Sequence, residues 1–429
     1  MHDKEKNPDC ADGPIILKAP GHHIVRRSID PDALKIIDRL DKQGFMACLV
    51  GGAVRDLMLG RAPKDFDVAT DARPGQIKKR FANAYVIGRR FRLVHVHFPG
   101  DKIIEVATFR RPISGEEEAA QAALEAQGLE TRPIDPYGTP REDAFRRDIT
   151  INALLYDAVL DSVIDYVGGL EDLKMKRVRV IGDPVERFTE DPVRIWRVLR
   201  HAARLGFEIE EKALQAVHSH GHLLETASGA RLYEEFNKDL AAETRPVIDI
   251  LLRHKILRFI LGQVGRDYET EAALSARLDG LLDIEGKARK GGVGLSAEEM
   301  YALIFFPWAE HFFGRDDIDL HKTLHDEFLA LRTAATIPKL VRANAVLILT
   351  ILGTMIRALR TGRMRWSLQK RSHYIQADHL FFLVVKHRPP AEGESFETIF
   401  RSIHGQGVSR PDHRPRRRGY RPPRKPRPA

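Results

Sequence analysis

The chain has 429 residues, 43% of them hydrophobic and 30% charged, with a formal net charge of +9 at neutral pH. That length and balance suit a soluble protein of two or three domains with a substantial core, and they suggest no membrane class. Only Cys10 and Cys48 occur, which indicates neither a disulfide framework nor a zinc site.

The chain opens with Met1-His2-Asp3-Lys4-Glu5-Lys6, without an apolar h-region, so export is not expected and a cytosolic (cytoplasmic) location is. Residues 1–30 read as a flexible leader ending in His22, His23, Arg26 and Arg27. Asp30 and Pro31 form a capped helix start, predicting a helix through Leu40 and then a strand at Ala47–Val50. The run Leu49-Val50-Gly51-Gly52-Ala53-Val54-Arg55-Asp56 follows, and after it Asp65-Phe66-Asp67. On a strand over Asp65–Val68 the two carboxylates fall on one side and Phe66 on the other. Paired hard oxygen ligands behind a glycine turn suit magnesium and the phosphates of a nucleotide.

A helix is predicted at Pro74–Phe81, with strands at Tyr85–Val86, Arg92–Phe98 and Lys102–Thr108, giving a small mixed α/β head over 31–175. Residues 114–146, with Gly115-Glu116-Glu117-Glu118, read as a polar, insertion-like mobile loop. The run Arg146-Arg147-Asp148-Ile149-Thr150-Ile151-Asn152 sets two guanidinium groups beside a carboxylate. That arrangement suits a triphosphate held with its metal, although an exposed salt-bridge cluster fits the same triplet.

From Pro184 strand signals become scarce. Apolar residues recur at helical spacing in Ile195–Leu205, Leu214–Leu224, Pro246–Leu261 and Ala343–Leu359, which predicts an all-helical neck (176–240) and body (241–400). In Glu190-Asp191-Pro192-Val193-Arg194, Asp191 can cap a helix whose first residue is Pro192. Arg194, Arg197, Arg200 and Arg204 then fall along one side, with Val198, Leu199, Ala202 and Leu205 on the other. Four like charges on one stripe cost stability unless a polyanion, or acids such as those at 208–211, face them. The apolar run Ala343–Ile356, bounded by Arg342 and Arg357, is too short for a bilayer and reads as a buried core helix. His325-Asp326 is an isolated helix dipeptide without the partners a metal site needs. Residues 401–429 read as a disordered Arg/Pro-rich tail. Its last stretch carries Arg410, Arg414, Arg416, Arg417, Arg418, Arg421, Arg424, Lys425 and Arg427 against Asp412 alone. Such a segment either neutralises phosphates or merely solubilises the chain.

Taken in order, the glycine and Asp-Phe-Asp block, the Arg-Arg-Asp block and the Glu190–Arg194 block resemble the class II polynucleotide nucleotidyltransferases. This bacterial family contains tRNA nucleotidyltransferases and poly(A) polymerases, and the likeness runs from about Asp32 to Phe236. The stretch Val86-Ile87-Gly88-Arg89-Arg90-Phe91-Arg92-Leu93-Val94-His95-Val96-His97-Phe98, the strand Ile103–Arg110 and the basic tail are similar to the poly(A) polymerase branch. The fold implied is α+β: a small mixed α/β nucleotidyltransferase head, an all-helical neck and body, and a disordered basic C-terminal tail.

The resemblance implies two magnesium ions at Asp65 and Asp67, with Asp148 as a third catalytic aspartate and Glu105 as a further metal contact. ATP would be the substrate, bound at Gly51, Gly52, Arg55, Arg147 and Asn152. Asp191 and Arg194 would read the edge of the incoming base, extended by Arg197 and Arg200. RNA would be held by Arg204, Arg416, Arg417, Arg418, Arg424 and Lys425. Ile149 stands where the family usually has Phe, keeping an apolar wedge with which activity is expected to survive. The implied activity is template-independent addition of AMP to RNA 3′ ends (mRNA, small RNA or tRNA), with release of pyrophosphate. RNA-decay or RNA-chaperone proteins are the implied partners, without DNA or a membrane. The alternatives are addition of CCA or a terminal A to tRNA, and an RNA-binding module with a vestigial head. Against the last stand Asp65, Asp67 and Asp148, since a head without chemistry has no reason to hold repelling carboxylates together.

Overall fold

The computed structural model describes residues 13–387, apart from 89–91, 114, 118–119, 121–122, 124–133, 243, 332 and 362–365. The expected tail, with Arg416, Arg417, Arg418, Arg424 and Lys425, lies outside the described residues, as do Arg89, Arg90 and Phe91. The chain divides into two compact units, one of residues up to 275 with 331–338, the other of 276–330 with 339 onward.

The first unit is built on an eight-stranded sheet in the order β1-β8-β7-β2-β3-β6-β5-β4. Its strands are β1 (Ile15–Lys18), β2 (Ala47–Val50), β3 (Asp67–Thr70), β4 (Ala84–Ile87), β5 (Leu93–Phe98), β6 (Lys102–Thr108), β7 (Leu155–Asp157) and β8 (Ser162–Asp165). Within it β3 and β6 run parallel and the other pairs antiparallel. The central strand β2 is buried along its whole length. Helix α1 (Pro31–Asp41) starts where the sequence predicts: the Asp30 carboxylate accepts from the Asp32 amide at 2.8 Å. Ala33, Ile36, Ile37 and Leu40, spaced along one helical face, are fully buried.

Four expectations are corrected here. The described part of the leader is docked on the head: β1 pairs with β8, and buried His22 bonds the Asp161 carbonyl at 3.1 Å. The third strand begins at Asp67, so Asp65 lies just ahead of it and not on it. Part of the expected loop 114–146 is ordered, because Thr139 and Glu142 form a capping box that starts α4 (Pro140–Phe145); α2 (Gly52–Met58) and α3 (Pro74–Arg80) precede it. The stretch Pro246–Leu261 forms two helices, Thr244–Arg253 and Leu257–Leu261, separated at Lys255, whose φ is 56°.

Beyond the sheet come α5 (Gly169–Lys174), α6 (Pro184–Glu190), α7 (Val193–Leu205), α8 (Glu211–His220) and α9 (Gly229–Ala242). Two two-residue strands, Arg177–Val178 and Glu208–Ile209, pair in parallel beside them. In the second unit, Ala297–Phe313 opens with a Ser296–Glu299 capping box and is apolar around most of its circumference. The expected core helix extends beyond its apolar run to Lys339–Thr361. That makes it long and apolar enough to cross a bilayer by length and composition, so length does not separate the two readings as expected. Burial does: Ala345, Val346, Ile348, Leu349, Ile351, Leu352, Met355 and Ile356 are packed inside the unit.

Candidate active site

The β2 strand ends in Gly51, whose φ of 72° and ψ of −140° place it in backbone space that side-chain-bearing residues avoid. The chain turns there and enters α2. A cleft of about 420 Å³ opens over the turn. Gly51, Gly52 and Asp67 form its sheet end, Arg146, Arg147, Asp148 and Asn152 one wall, and Asp191, Val193, Arg194 and Arg197 the wall from the neck. Arg231, Glu234 and Glu235 of α9 close it.

Asp67 faces solvent at the start of β3, yet its carboxyl is pushed up to about 6. Crowding by the surrounding protein is the largest cause, followed by the charges of Glu105 and Asp65, against which Arg147 pulls the other way. Glu105 projects from β6 one step before the paired Val68 and Val106, so it stands beside Asp67. It also lies 3.5 Å from His95 Nε2. The three expected metal ligands therefore face one another closely enough to repel. Among the described residues no three His, Cys, Asp or Glu side chains are gathered into a metal shell.

Arg147 is held in place. Asp143, 2% exposed, accepts from its Nη2 at 2.9 Å and Nε at 3.1 Å, and the Asn152 carbonyl accepts from its Nη1 at 3.1 Å. Nη1 lies 3.6 Å from where a Cβ on Gly51 would sit. Two of its five N–H groups remain for an oxyanion in the cleft. Arg55 departs from expectation. Only 7% exposed, its guanidinium lies under Gly52, with Nη1 donating to Asn152 Oδ1 at 2.6 Å and Nε to Asp56 at 2.8 Å. A Cβ on Gly52 would stand 3.3 Å from Arg55 Nη2, so the second glycine makes room for this arginine. Asn152 completes the support by bonding His201 at 3.1 Å. Burial holds that imidazole well below its usual range and hence neutral.

The arginine stripe on α7 is also answered from within. Arg197 bonds the Asp148 carboxylate, and Arg200 is buried against Glu235 and Asp239, with Nε 2.7 Å from the latter. Arg194 reaches Glu190 at 2.7 Å. The balancing acids are thus 148, 190, 235 and 239, in place of those at 208–211, and Arg204 is exposed. Arg200 does not line the cleft. Burial opposes ionisation of Asp148, but the Arg197 charge and hydrogen bond hold its carboxyl well below the usual range. Asp191 caps α7 by accepting from the Val193 amide at 3.2 Å, and pairs with Arg231 at 2.8 and 3.0 Å.

Sequence reasoning missed Asp143, Arg231, Glu235 and Asp239. The last three fall at steps of four along α9: Glu235 and Asp239 complement the arginine stripe on α7, and Arg231, one turn earlier, meets Asp191 just ahead of that stripe. Asp143 carried no such signal, since its role appears only when α4 folds.

Residues 47–179 match the family described as poly A polymerase head domain, and 206–265 match that described as probable RNA and SrmB-binding site of polymerase A. Among curated proteins, poly(A) polymerase I of Salmonella typhi is 45% identical over 227 residues, covering 53% of this chain and 49% of its own length. Poly(A) polymerase I of Escherichia coli O6:H1 is 47% identical over a stretch covering the same shares. The CCA-adding enzyme of Streptococcus suis is 35% identical over 246 residues, 57% of this chain and 58% of that one. The chain therefore spans about half the length of the poly(A) polymerases it matches. Among solved structures, the Bacillus stearothermophilus CCA-adding enzyme in complex with CTP superposes with a TM-score of 0.61 at 25% identity, over 87% of this chain and 84% of that one. Across residues 47–179 and 206–265, its head and neck, the chain is thus similar to poly(A) polymerases and CCA-adding enzymes.

Proposed function

We propose that the protein is a template-independent polynucleotide adenylyltransferase of the cytosol that adds AMP from ATP to RNA 3′ ends and releases pyrophosphate. The observation that carries the reading is a single cleft with Asp67 at one end, Arg147 fixed beside the glycine turn, and Asp191 and Arg194 on the facing wall. The higher identity to poly(A) polymerases, 45–47% against 35%, favours adenylate addition over tRNA repair.

The donor set suits magnesium: Asp65, Asp67 and Glu105 offer hard oxygens, and Glu105 stands beside Asp67 on the neighbouring strand, where the two charges repel. When bound, magnesium would activate the attacking oxygen and neutralise the leaving pyrophosphate. The 3′-hydroxyl oxygen attacks the α-phosphorus, the bond from that phosphorus to the β-phosphate's bridging oxygen breaks, and the hydroxyl proton passes to solvent. Arg147 donates its two remaining N–H groups to the triphosphate, and Gly51 and Gly52 let the backbone approach it. Arg55, Asn152 and neutral His201 hold this floor rigid from below. On the neck wall, the Asp191 carboxylate accepts the N6 amino proton of adenine while Arg194 donates to a ring nitrogen. Arg204 and the basic tail draw RNA in through its phosphates, so removing residues 409–429 flattens the salt dependence of RNA affinity.

The deciding experiment is magnesium-dependent incorporation of each labelled nucleoside triphosphate onto an unstructured RNA and onto a tRNA lacking its CCA end. Long tails from ATP alone on the unstructured RNA support the reading. Additions that stop after one to three residues, only on the tRNA, replace it with tRNA repair. No incorporation leaves RNA binding alone.

A further inference from the structure

Beyond Asp67, the exposed face of the head sheet is not used by the cleft. Strand pairing sets Tyr85 of β4 opposite His95 of β5, and His95 opposite Glu105 of β6, which stands beside Asp67. These four side chains form a row straight across the sheet. With neighbouring strands about 4.8 Å apart, the row runs roughly 14 Å from Asp67 to Tyr85. On the same face His97 lies opposite Ile103, and Ile87 opposite Leu93. The Tyr85 and His97 rings meet edge to face at 5.0 Å, and the His95 ring lies 6.5 Å from His97. Tyr85 is 56% exposed, and Ile87 and Ile103 nearly half, so nothing in the chain's described residues covers the patch. Single exposed apolar residues need no explanation, but a contiguous set of rings and isoleucines leading to a carboxylate does.

The position of Asp67 supplies the explanation. The cleft lies on one side of it, toward Arg147 and the neck. The ring-bearing face lies on the other, beyond Glu105. An in-line displacement requires the attacking 3′-oxygen to enter opposite the leaving pyrophosphate. With the nucleotide in the cleft, the RNA end must approach across β6 and β5. The geometry points to the exposed face of β4, β5 and β6 as a stacking platform for the unpaired nucleotides just behind the RNA 3′ end, with Tyr85, His95 and His97 as its rings. Flat side chains on an open sheet hold unpaired bases through their π-faces, whatever the base, and purines offer the larger face. Such a surface grips a growing poly(A) end without reading sequence, and Ile87 and Ile103 shield the stack from water. The inference rests on the proposed activity for the direction of approach.

The test separates the two. Binding of a fluorescent A-rich RNA oligonucleotide is measured by anisotropy without ATP, for the wild type, Tyr85→Phe, and Tyr85→Ala combined with His97→Ala. Both positions are exposed, and unchanged melting temperatures show that the variants fold. The platform predicts that the double alanine variant binds the oligonucleotide about tenfold or more weakly, since each stacked base contributes a factor of that order, while Tyr85→Phe stays near wild type. In steady state the RNA KM rises in parallel and the ATP KM does not move. Unchanged affinity in the double variant overturns the proposal, as does Tyr85→Phe weakened as much as alanine. A wild type that binds through these rings but incorporates no AMP keeps the platform and loses the activity. One that incorporates AMP with a fully competent double variant keeps the activity and loses the platform.

Discussion

Replacing Asp143 by Asn tests whether this buried carboxylate sets the position of Arg147. Asp143 Oδ1 accepts from Arg146 Nη2 at 2.5 Å and Nε at 2.9 Å, Oδ2 from Arg147 as described, and Oδ1 also from the Arg110 amide at 3.1 Å. In Asp143→Asn one oxygen becomes an amino group facing a guanidinium, so at least one forked pair is lost. Removing one partner of a buried ion pair costs about 3–5 kcal/mol. The Arg146 and Arg147 side chains retain 31% and 20% exposure and can turn to water, which places the expected loss near the lower bound, about 3 kcal/mol. For a unit of this size that corresponds to a fall in Tm of roughly 6–12 °C. The sign with pH follows from the direction of the shift. Burial opposes the charge of Asp143, but Arg147 and Arg146 hold its carboxyl below its ordinary value of 3.8. The stabilisation is complete above that value and fades as pH falls through the lower folded one. Wild type and variant should therefore differ by a constant amount between about pH 5 and 8 and converge below about pH 4. Melting across that range, with the KM for ATP measured at neutral pH, checks both arms, and the KM should rise about tenfold as Arg147 loses its fixed orientation. Equal melting temperatures at neutral pH, or a gap that widens in acid, would refute the reasoning.

Gly51→Ala places a side chain at φ 72°, a strain of about 2 kcal/mol, while its Cβ would meet Arg147 Nη1 only in ordinary contact at 3.6 Å; thermal melting should show the loss, and ATP affinity should fall as the turn shifts to relieve the strain. Because the folded Asp67 carboxyl is raised to about 6, its ionised form costs stability above that pH. Asp67→Asn should then raise Tm at pH 7.5 without magnesium, leave it unchanged below pH 4, and abolish the rise that magnesium gives the wild type. Arg200→Ala takes from buried Asp239 the one cation within salt-bridge reach among the described residues and leaves Glu235 with Arg197 and Lys238, so it should destabilise by about 3 kcal/mol in denaturant titrations. By contrast, Arg204→Ala should leave stability intact, weaken RNA binding evenly across sequences and lower the salt slope by about one. If Asp148 acts only through Arg197, the Asp148→Asn and Arg197→Ala variants and their double will lose AMP incorporation to the same degree; a double variant that loses more would give Asp148 a direct part in the reaction.

How much of this was legible depended on whether a residue's role is local. The capped start of α1, the turn after β2 and the helix carrying the arginine stripe follow from spacing and caps, which act within a few residues. The docked strand Ile15–Lys18 did not, because its partner lies near residue 164 and a lone strand with exposed Ile15 and Ile16 has no periodic signal of its own. Strands β7 and β8 were missed for a related reason: β7 has three residues, too few to establish alternation.

The same distinction governs the charges. Read alone, four arginines on α7 demand a polyanion, and read with α9 they demand much less. Glu235 and Asp239 take up Arg200, Asp148 takes up Arg197, and the exposed charge left for RNA on this stripe is Arg204. The stripe thus does two jobs in sequence order. Its first members, Arg194 and Arg197, face the cleft. Arg200 ties α7 to α9, and the last turn alone presents charge outward. A helix of this kind fixes the neck wall of the cleft against the head through Arg197 and Asp148, so Asp191 and Arg194, the pair proposed to read the base, sit on an element whose orientation depends on a carboxylate of the head. Under the proposed activity, selection of the base and placement of the reacting groups are therefore mechanically one structure, and a change at either end is expected to disturb both.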